Sequence, residues 1–197
     1  RELAFWARNI RETGEPALEL GCGTGRVLVP LTEMGFAVTG VDTSPAMLQR
    51  CRQAAQERQL ELALHEQSML ALNLDAEFGL IMLTSGGLGL FTADADIRQL
   101  LGQVFTLLRP GGRFVYEFQP VPEQTRHAST WTGDWITTPD GAILDWRTRR
   151  KYDAPSRIWR SLFVLQKSVN GKVIDSEVNE RTGRYFDPDE ACQYATT

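Results

Sequence analysis

A short apolar strand that runs straight into three alternating glycines constrains this chain more than any other feature. Ala17–Leu20 leads into Gly21-Cys22-Gly23-Thr24-Gly25-Arg26. Glycine tolerates positive φ and lets a ligand approach the backbone closely. Thr24–Met34 then reads as a helix, with Thr24 as its cap and Gly35 as its stop. Pro30 removes a backbone donor early in that helix and predicts a local bend. Backbone N–H groups at a helix start suit carboxylate or nucleotide oxygens. Ala37–Val41 is the second strand, and Asp42 closes it, near the position of an acid that accepts hydrogen bonds from a ribose diol. The plain structural alternatives are a tight turn for the glycines and a helix-cap role for Asp42 beside Ser44.

The alternation continues. Thr43-Ser44-Pro45 places a cap before a proline at the first helical position, and Met47, Leu48, Cys51, Ala54 and Ala55 follow at helical spacing. Leu60–His65 and Leu80–Thr84 read as the third and fourth strands, and Asp94–Leu108 as a long helix between the fourth strand and the next. Arg109-Pro110-Gly111-Gly112 is a turn, and Arg113–Phe118 is the fifth strand. Strands separated by helices predict an α/β fold, a Rossmann-like doubly wound parallel sheet covered on both faces. From about Trp131 the helical period disappears. Asn170-Gly171 between two strand-like runs is a hairpin signal. Trp131–Arg184 therefore reads as an antiparallel meander inserted after the fifth strand. The expected organisation is a core at 1–120, an antiparallel insertion at 121–186, and the start of a further core helix at 187–197, opened by Asp187-Pro188-Asp189-Glu190.

Composition narrows the function classes. The chain has 197 residues, 42% of them hydrophobic and 23% charged, with a net charge of −4. That balance argues against a general polyanion binder, so no nucleic-acid partner is expected. No apolar run approaches the ~20 residues that cross a bilayer, so no membrane partner is expected. Cys22, Cys51 and Cys192 lack zinc-ligand spacing, and there are only two histidines, so no metal site is expected. Reduced cysteines fit a cytoplasmic location. The chain does not begin with Met, which reads as a fragment of a longer one.

The loop also discriminates among ligands. A dinucleotide fingerprint is Gly-x-Gly-x-x-Gly, and counting from Gly21 the sixth position here is Arg26. An acid, Glu19, lies inside the strand before the loop. A carboxylate there suits a cationic amino-acid ligand better than a pyrophosphate, which favours an adenosyl amino acid.

Taken together, Leu18–Arg26, Val41–Leu48 and Leu108–Arg113 resemble the signature segments of class I S-adenosylmethionine-dependent methyltransferases. The resemblance covers roughly residues 1 to 118, and the later hairpins are similar to a small-molecule branch. It implies S-adenosyl-L-methionine as cofactor and a small-molecule methyl acceptor, methylated on N or O. It implies that Gly21, Gly23 and Gly25, with Cys22 and Thr24, line the methionine part of the cofactor, and that Glu19 orients that region. It implies that Asp42 holds the ribose hydroxyls, that Thr43 and Met47 border the adenosine, and that Ser68, Met69 and Leu70 lie beside the adenine. Thr84 and Ser85 would sit next to the donor sulfur. Two positions depart from the family pattern. Ser68 stands where an Asp usually binds the adenine amino group, and Gly79 stands where many members carry Asp.

Methyl transfer needs a base only when the acceptor is protonated. Glu117, at the end of the fifth strand, and His127 beyond it are the candidates by location, against a solvated strand-end acid and a surface loop residue as their structural alternatives. Arg147, Arg149, Arg150, Lys151, Arg157 and Arg160 gather near Trp131, Trp135, Trp146 and Trp159. The simplest reading is a sheet with tryptophans on one face and solvated arginines on the other. A lid or wall for an anionic or aromatic acceptor, or a homodimer contact, are the alternatives. Phe5 and Trp6 read as core residues. A nicotinamide-dependent oxidoreductase and a non-catalytic cofactor-binding relative are the competing functions. Family members usually continue through a further helix and a final strand pair. A sheet ending without them has an open edge, which predicts low stability or an oligomer.

Overall fold

The computed structural model describes residues 1–121 and 130–194. It divides into two compact units: Arg1–Leu88 with Ala93–Phe118, and Gly89–Thr92 with Gln119–Thr197.

In the first unit, helices and parallel strands alternate: α1 (Glu2–Thr13), β1 (Ala17–Leu20), α2 (Leu28–Glu33), β2 (Val38–Asp42), α3 (Pro45–Gln56), β3 (Ala63–Glu66), β4 (Phe78–Leu83), α4 (Asp94–Leu107) and β5 (Leu108–Tyr116). The strand order is β3-β2-β1-β4-β5, and every pair is parallel. The order reverses next to β1, so the C-terminal ends of β1 and β4 open a crevice, where doubly wound sheets place their ligands. The central strands are buried along their whole length, Ala17–Leu20 and Phe78–Leu83 alike. Such strands read as continuous apolar runs because helices cover both faces. From α1, Trp6 and Ile10 are buried in the core. Phe5 stays 40% exposed, so of the two aromatic residues only Trp6 is core.

Three local expectations differ. Helix α2 starts at Leu28, not Thr24, and Val27 occupies its cap position without a side-chain bond. Gly25 has φ 82°, which no right-handed helix accommodates. Pro30 also clashes with the carbonyl four residues earlier unless it lies in the first turn. The third strand is shorter and later than Leu60–His65. The Arg109–Gly112 turn is absorbed into β5 as an irregularity, since Phe78 pairs with Leu108 while Leu80 pairs with Arg113.

The second unit is an antiparallel sheet in the order β6 (Trp131–Thr137), β7 (Ile143–Asp153), β8 (Ile158–Val169) and β9 (Lys172–Arg184), followed by α5 (Pro188–Gln193). The Asn170-Gly171 turn joins β8 to β9 with positive φ at both residues. Asp187 caps α5 by accepting a hydrogen bond from the Asp189 amide at 3.0 Å. The tryptophans are not gathered on one face. Trp131 and Trp135 pair with Arg149 and Asp145, whereas Trp146 pairs with Asp134 and Trp159 with Tyr152. Paired residues share a face and neighbours along a strand alternate. Trp131 and Trp135 therefore stand with Arg147 and Arg149, and Trp146 and Trp159 stand on the opposite face with Arg150. The Arg150 guanidinium lies 4.5 Å from the Trp159 ring centroid.

Candidate active site

The glycine loop joins β1 to α2 with Gly21, Gly23 and Gly25 at φ 67°, 55° and 82°. A Cβ on Gly25 would approach the Cys51 sulfur to 2.5 Å and Val29 to 2.6 Å, so the loop is pressed against α2 and α3. A Cβ on Gly23 would meet nothing within 4 Å. That side of the loop is open, as a cradle for a ligand requires. Thr24 is exposed. Cys22 turns its side chain into the core and contributes backbone alone, its amide donating to the Val41 carbonyl at 3.0 Å.

Asp42 links the second strand to this loop. Its Oδ2 accepts from the Gly23 amide at 2.8 Å and its Oδ1 from the Ser44 amide at 2.8 Å. Ser44 in turn caps α3 by accepting from the Met47 amide. The cap role and the site position thus belong to neighbouring residues. Thr43 is exposed and Met47 is 41% exposed at the same strand end.

Glu19 lies below the loop and is 2% exposed. Its Oε1 accepts from the Thr84 hydroxyl at 2.8 Å, which joins β1 to β4. Its Oε2 is buried without a hydrogen-bond partner among the described residues. Burial pushes the carboxyl up to about 8, against the Thr84 hydrogen bond, the Arg26 charge and the Leu28 backbone amide, which pull it down. A buried acid with one vacant oxygen fits an approaching cation, and the ammonium of an amino-acid ligand is such a group.

Arg26 was visible in the sequence only as the residue that breaks the dinucleotide pattern. It donates to Glu2 Oε2 at 2.5 Å, to Glu2 Oε1 at 2.9 Å and to the Ser85 hydroxyl at 2.7 Å. No local signal announces this cluster, because its partners lie 24 and 59 residues away. Ser85 follows β4 with φ 59°, a strained value for a residue with a side chain. The Glu117 carboxylate lies within electrostatic reach of Arg26, and its amide donates to the Leu83 carbonyl at 2.9 Å. Glu19, Thr84, Ser85 and Glu117 are thereby brought to one end of β1, β4 and β5. His127 lies outside the described residues.

Met69 reaches the loop, its Cε 3.3 Å from where a Gly21 Cβ would stand. Ser68 is exposed and its hydroxyl accepts from the Leu70 amide at 3.2 Å. The Gly79 departure has a steric reason. A Cβ there would collide with the Gly14 carbonyl oxygen, and the Arg109 guanidinium fills the remaining space while it binds the Thr13 and Glu15 carbonyls.

Residues 17–112 match the family model described as a methyltransferase domain. That segment, just under half of the chain, is similar to methyltransferase domains. The matched segment runs from β1 through the Gly112 turn and takes in the glycine loop, Asp42, Ser68 and Thr84. A demethylmenaquinone methyltransferase of Thermus thermophilus is 37% identical over 110 residues, covering 54% of this chain and 48% of its own. The chain spans less than half the length of the curated relatives it matches. Among solved structures, an amino pentose methyltransferase from Micromonospora echinaspora, with S-adenosylmethionine bound, has a TM-score of 0.77 at 22% identity, covering 98% of this chain and 79% of its own. The sugar N-methyltransferase of a Streptoalloteichus species has a TM-score of 0.80 at 19% identity, covering 98% and 76%. At these identities the likeness is one of fold, and it extends over both units of the chain.

Proposed function

We propose that this chain transfers the methyl group of S-adenosyl-L-methionine to an oxygen or nitrogen of a small molecule. The observation that carries the reading is Glu19: a buried acid in β1, two residues before the open glycine loop, with one oxygen that has no hydrogen-bond partner among the described residues. Its carboxyl, raised to about 8, is neutral at pH 7; an amino acid's ammonium would favour its ionised form and a pyrophosphate would not, so the nicotinamide alternative is disfavoured. In this reading Gly21, Gly23 and Gly25, with the Cys22 backbone and Thr24, hold the methionine part. Glu19 takes the ammonium side, Asp42 takes the ribose diol, Thr43 and Met47 flank the adenosine, and Ser68, Met69 and Leu70 border the adenine. When bound, the cofactor supplies a sulfonium whose methyl group is already activated. The protein's task is then alignment, which is worth ~7–11 kcal/mol in favourable cases. Thr84 and Ser85, fixed by Glu19 and Arg26, shape the wall where the acceptor meets the donor. Glu117 is the candidate to receive a proton from a protonated acceptor.

The small-molecule acceptor is supported by the sugar and amino pentose methyltransferases that share the fold. Among the described residues no helix is long and apolar enough to cross a membrane; the −4 charge disfavours nucleic acid, and a cytoplasmic location suits three free cysteines. Homodimerisation through β9 fits its uncovered edge, where Val173, Ile174 and Val178 are 55%, 59% and 61% exposed. A methyl-release assay with amine and hydroxyl acceptors tests the reaction, with Asp42→Asn as the control. The variant should retain the fold and lose about tenfold or more in S-adenosylhomocysteine affinity, since a charge-assisted hydrogen bond is worth ~1.5–3 kcal/mol. Undiminished affinity would remove Asp42 from the site.

A further inference from the structure

A cavity of about 240 Å³ lies on the antiparallel sheet of the second unit, between β6 and β7. Its two walls are Trp131 and Trp135, which are 44% and 61% exposed. They stand on the same face of β6 with Gly133 between them. The gap is built in: a Cβ on Gly133 would collide with the Trp146 carbonyl oxygen. In register opposite Gly133 is Arg147, and opposite Trp135 is Asp145. Arg147 donates to Asp145 through Nε at 3.1 Å and Nη2 at 3.2 Å. Its other terminal nitrogen makes no bond to that carboxylate. Asp134, which also lines the cavity, turns its Oδ1 onto the Trp135 amide at 2.8 Å.

Exposed indoles bordering a polar floor favour a ligand with two kinds of surface. The indole faces want flat C–H or aromatic surface, since desolvating them is favourable. The Asp145–Arg147 pair offers an acceptor and a donor side by side, the arrangement that two vicinal hydroxyls satisfy. Arg149 stands opposite Trp131 on the same face, so two guanidinium groups offset Asp145 and Asp134 and the charge of the ligand is not what selects it. The volume falls below the ~300–1,000 Å³ of pockets for drug-sized ligands, so it suits a single ring. A saccharide ring meets these conditions. A nucleotide fails on size, and a plain hydrocarbon leaves the floor unmatched.

We propose that Trp131, Trp135, Asp145 and Arg147 form a saccharide-binding site that accepts a single pyranose or furanose ring. It needs neither the glycine loop nor the methyl donor, so it stands independently of the methyl-transfer reading. The test is calorimetric titration of the full chain with methyl α-glucopyranoside, methyl glucosaminide and glucose 6-phosphate. The two glycosides should saturate with Kd in the range of about 1–10 mM, and glucose 6-phosphate, which carries the same ring, should bind within about tenfold of them. Trp135→Ala and Arg147→Gln should each weaken the glycosides by about tenfold. Circular dichroism should be unchanged, because Trp135 is largely exposed, and S-adenosylhomocysteine affinity should stay at the unsubstituted level. The proposal is overturned if neither glycoside saturates, if glucose 6-phosphate binds and neither glycoside does, or if Trp135→Ala leaves binding intact. Sedimentation that changes oligomeric state on Trp135→Ala, with no glycoside binding, assigns the tryptophans to a contact between copies instead.

Discussion

Glu19 is the residue on which the physical account of the site turns. Its carboxyl is raised to about 8 by burial, far above the unfolded value of 4.5. The folded chain therefore holds this proton more tightly than the unfolded one. The contribution to stability is fully present below about 4.5 and is lost as pH rises to about 8. Glu19→Gln keeps an acceptor for Thr84 and removes the ionisation. Without cofactor, the variant should gain on the unsubstituted chain as pH rises, by roughly 2–4 kcal/mol at pH 8. Denaturant unfolding at pH 5 and pH 8 checks this, and an equal gap at both values contradicts it. Glu19, Asp42 and the glycines were legible as a group because strand, loop, helix and acid follow one another locally. Arg26 was not, since its tie to Glu2 and Ser85 joins segments 24 and 59 residues apart that meet only in the folded chain.

At the scale of elements, the loop is set by backbone conformation and close packing together. Gly25→Ala places a side chain at φ 82° and within 2.5 Å of the Cys51 sulfur. It should destabilise the chain by about 2–4 kcal/mol and abolish S-adenosylhomocysteine binding. A thermal melt within 2 °C of the unsubstituted chain, roughly a 0.5 kcal/mol change, speaks against this packing. Gly79→Asp should destabilise for the same kind of reason, through the Gly14 carbonyl and Arg109. Strand positions were readable because fully buried parallel strands are continuous apolar runs. The start of α2 was misread because Thr24 looks like a cap while Gly25 forbids the helix. The distribution of tryptophans over the insertion was misread for a different reason. Which face a side chain takes depends on register, and register follows from turns whose residue count the period-2 pattern leaves open.

At the scale of the molecule, the two units pose different problems. The parallel sheet ends on β5 among the described residues, and the antiparallel sheet ends on β6 and β9. Open edges with exposed apolar residues promote pairing between chains. The chain should sediment as a dimer at micromolar concentration, and Val178→Lys on β9 should shift it toward monomer; a monomer throughout removes the proposed contact. The change from alternating helices to a meander was legible at Trp131, because helical periodicity stops and turn signals take over. Where contacts divide the chain was less legible, since Gly89–Thr92 cluster with residues that lie some thirty positions or more further on.

The central claim is that the glycine loop after Glu19 holds an adenosyl amino acid. Isothermal titration calorimetry of the full chain with S-adenosylhomocysteine and, separately, with NAD addresses it most directly. Saturable one-to-one binding of S-adenosylhomocysteine, weakened by Asp42→Asn, with no heat from NAD, is the result predicted. Tight binding of NAD with none of S-adenosylhomocysteine would contradict the account.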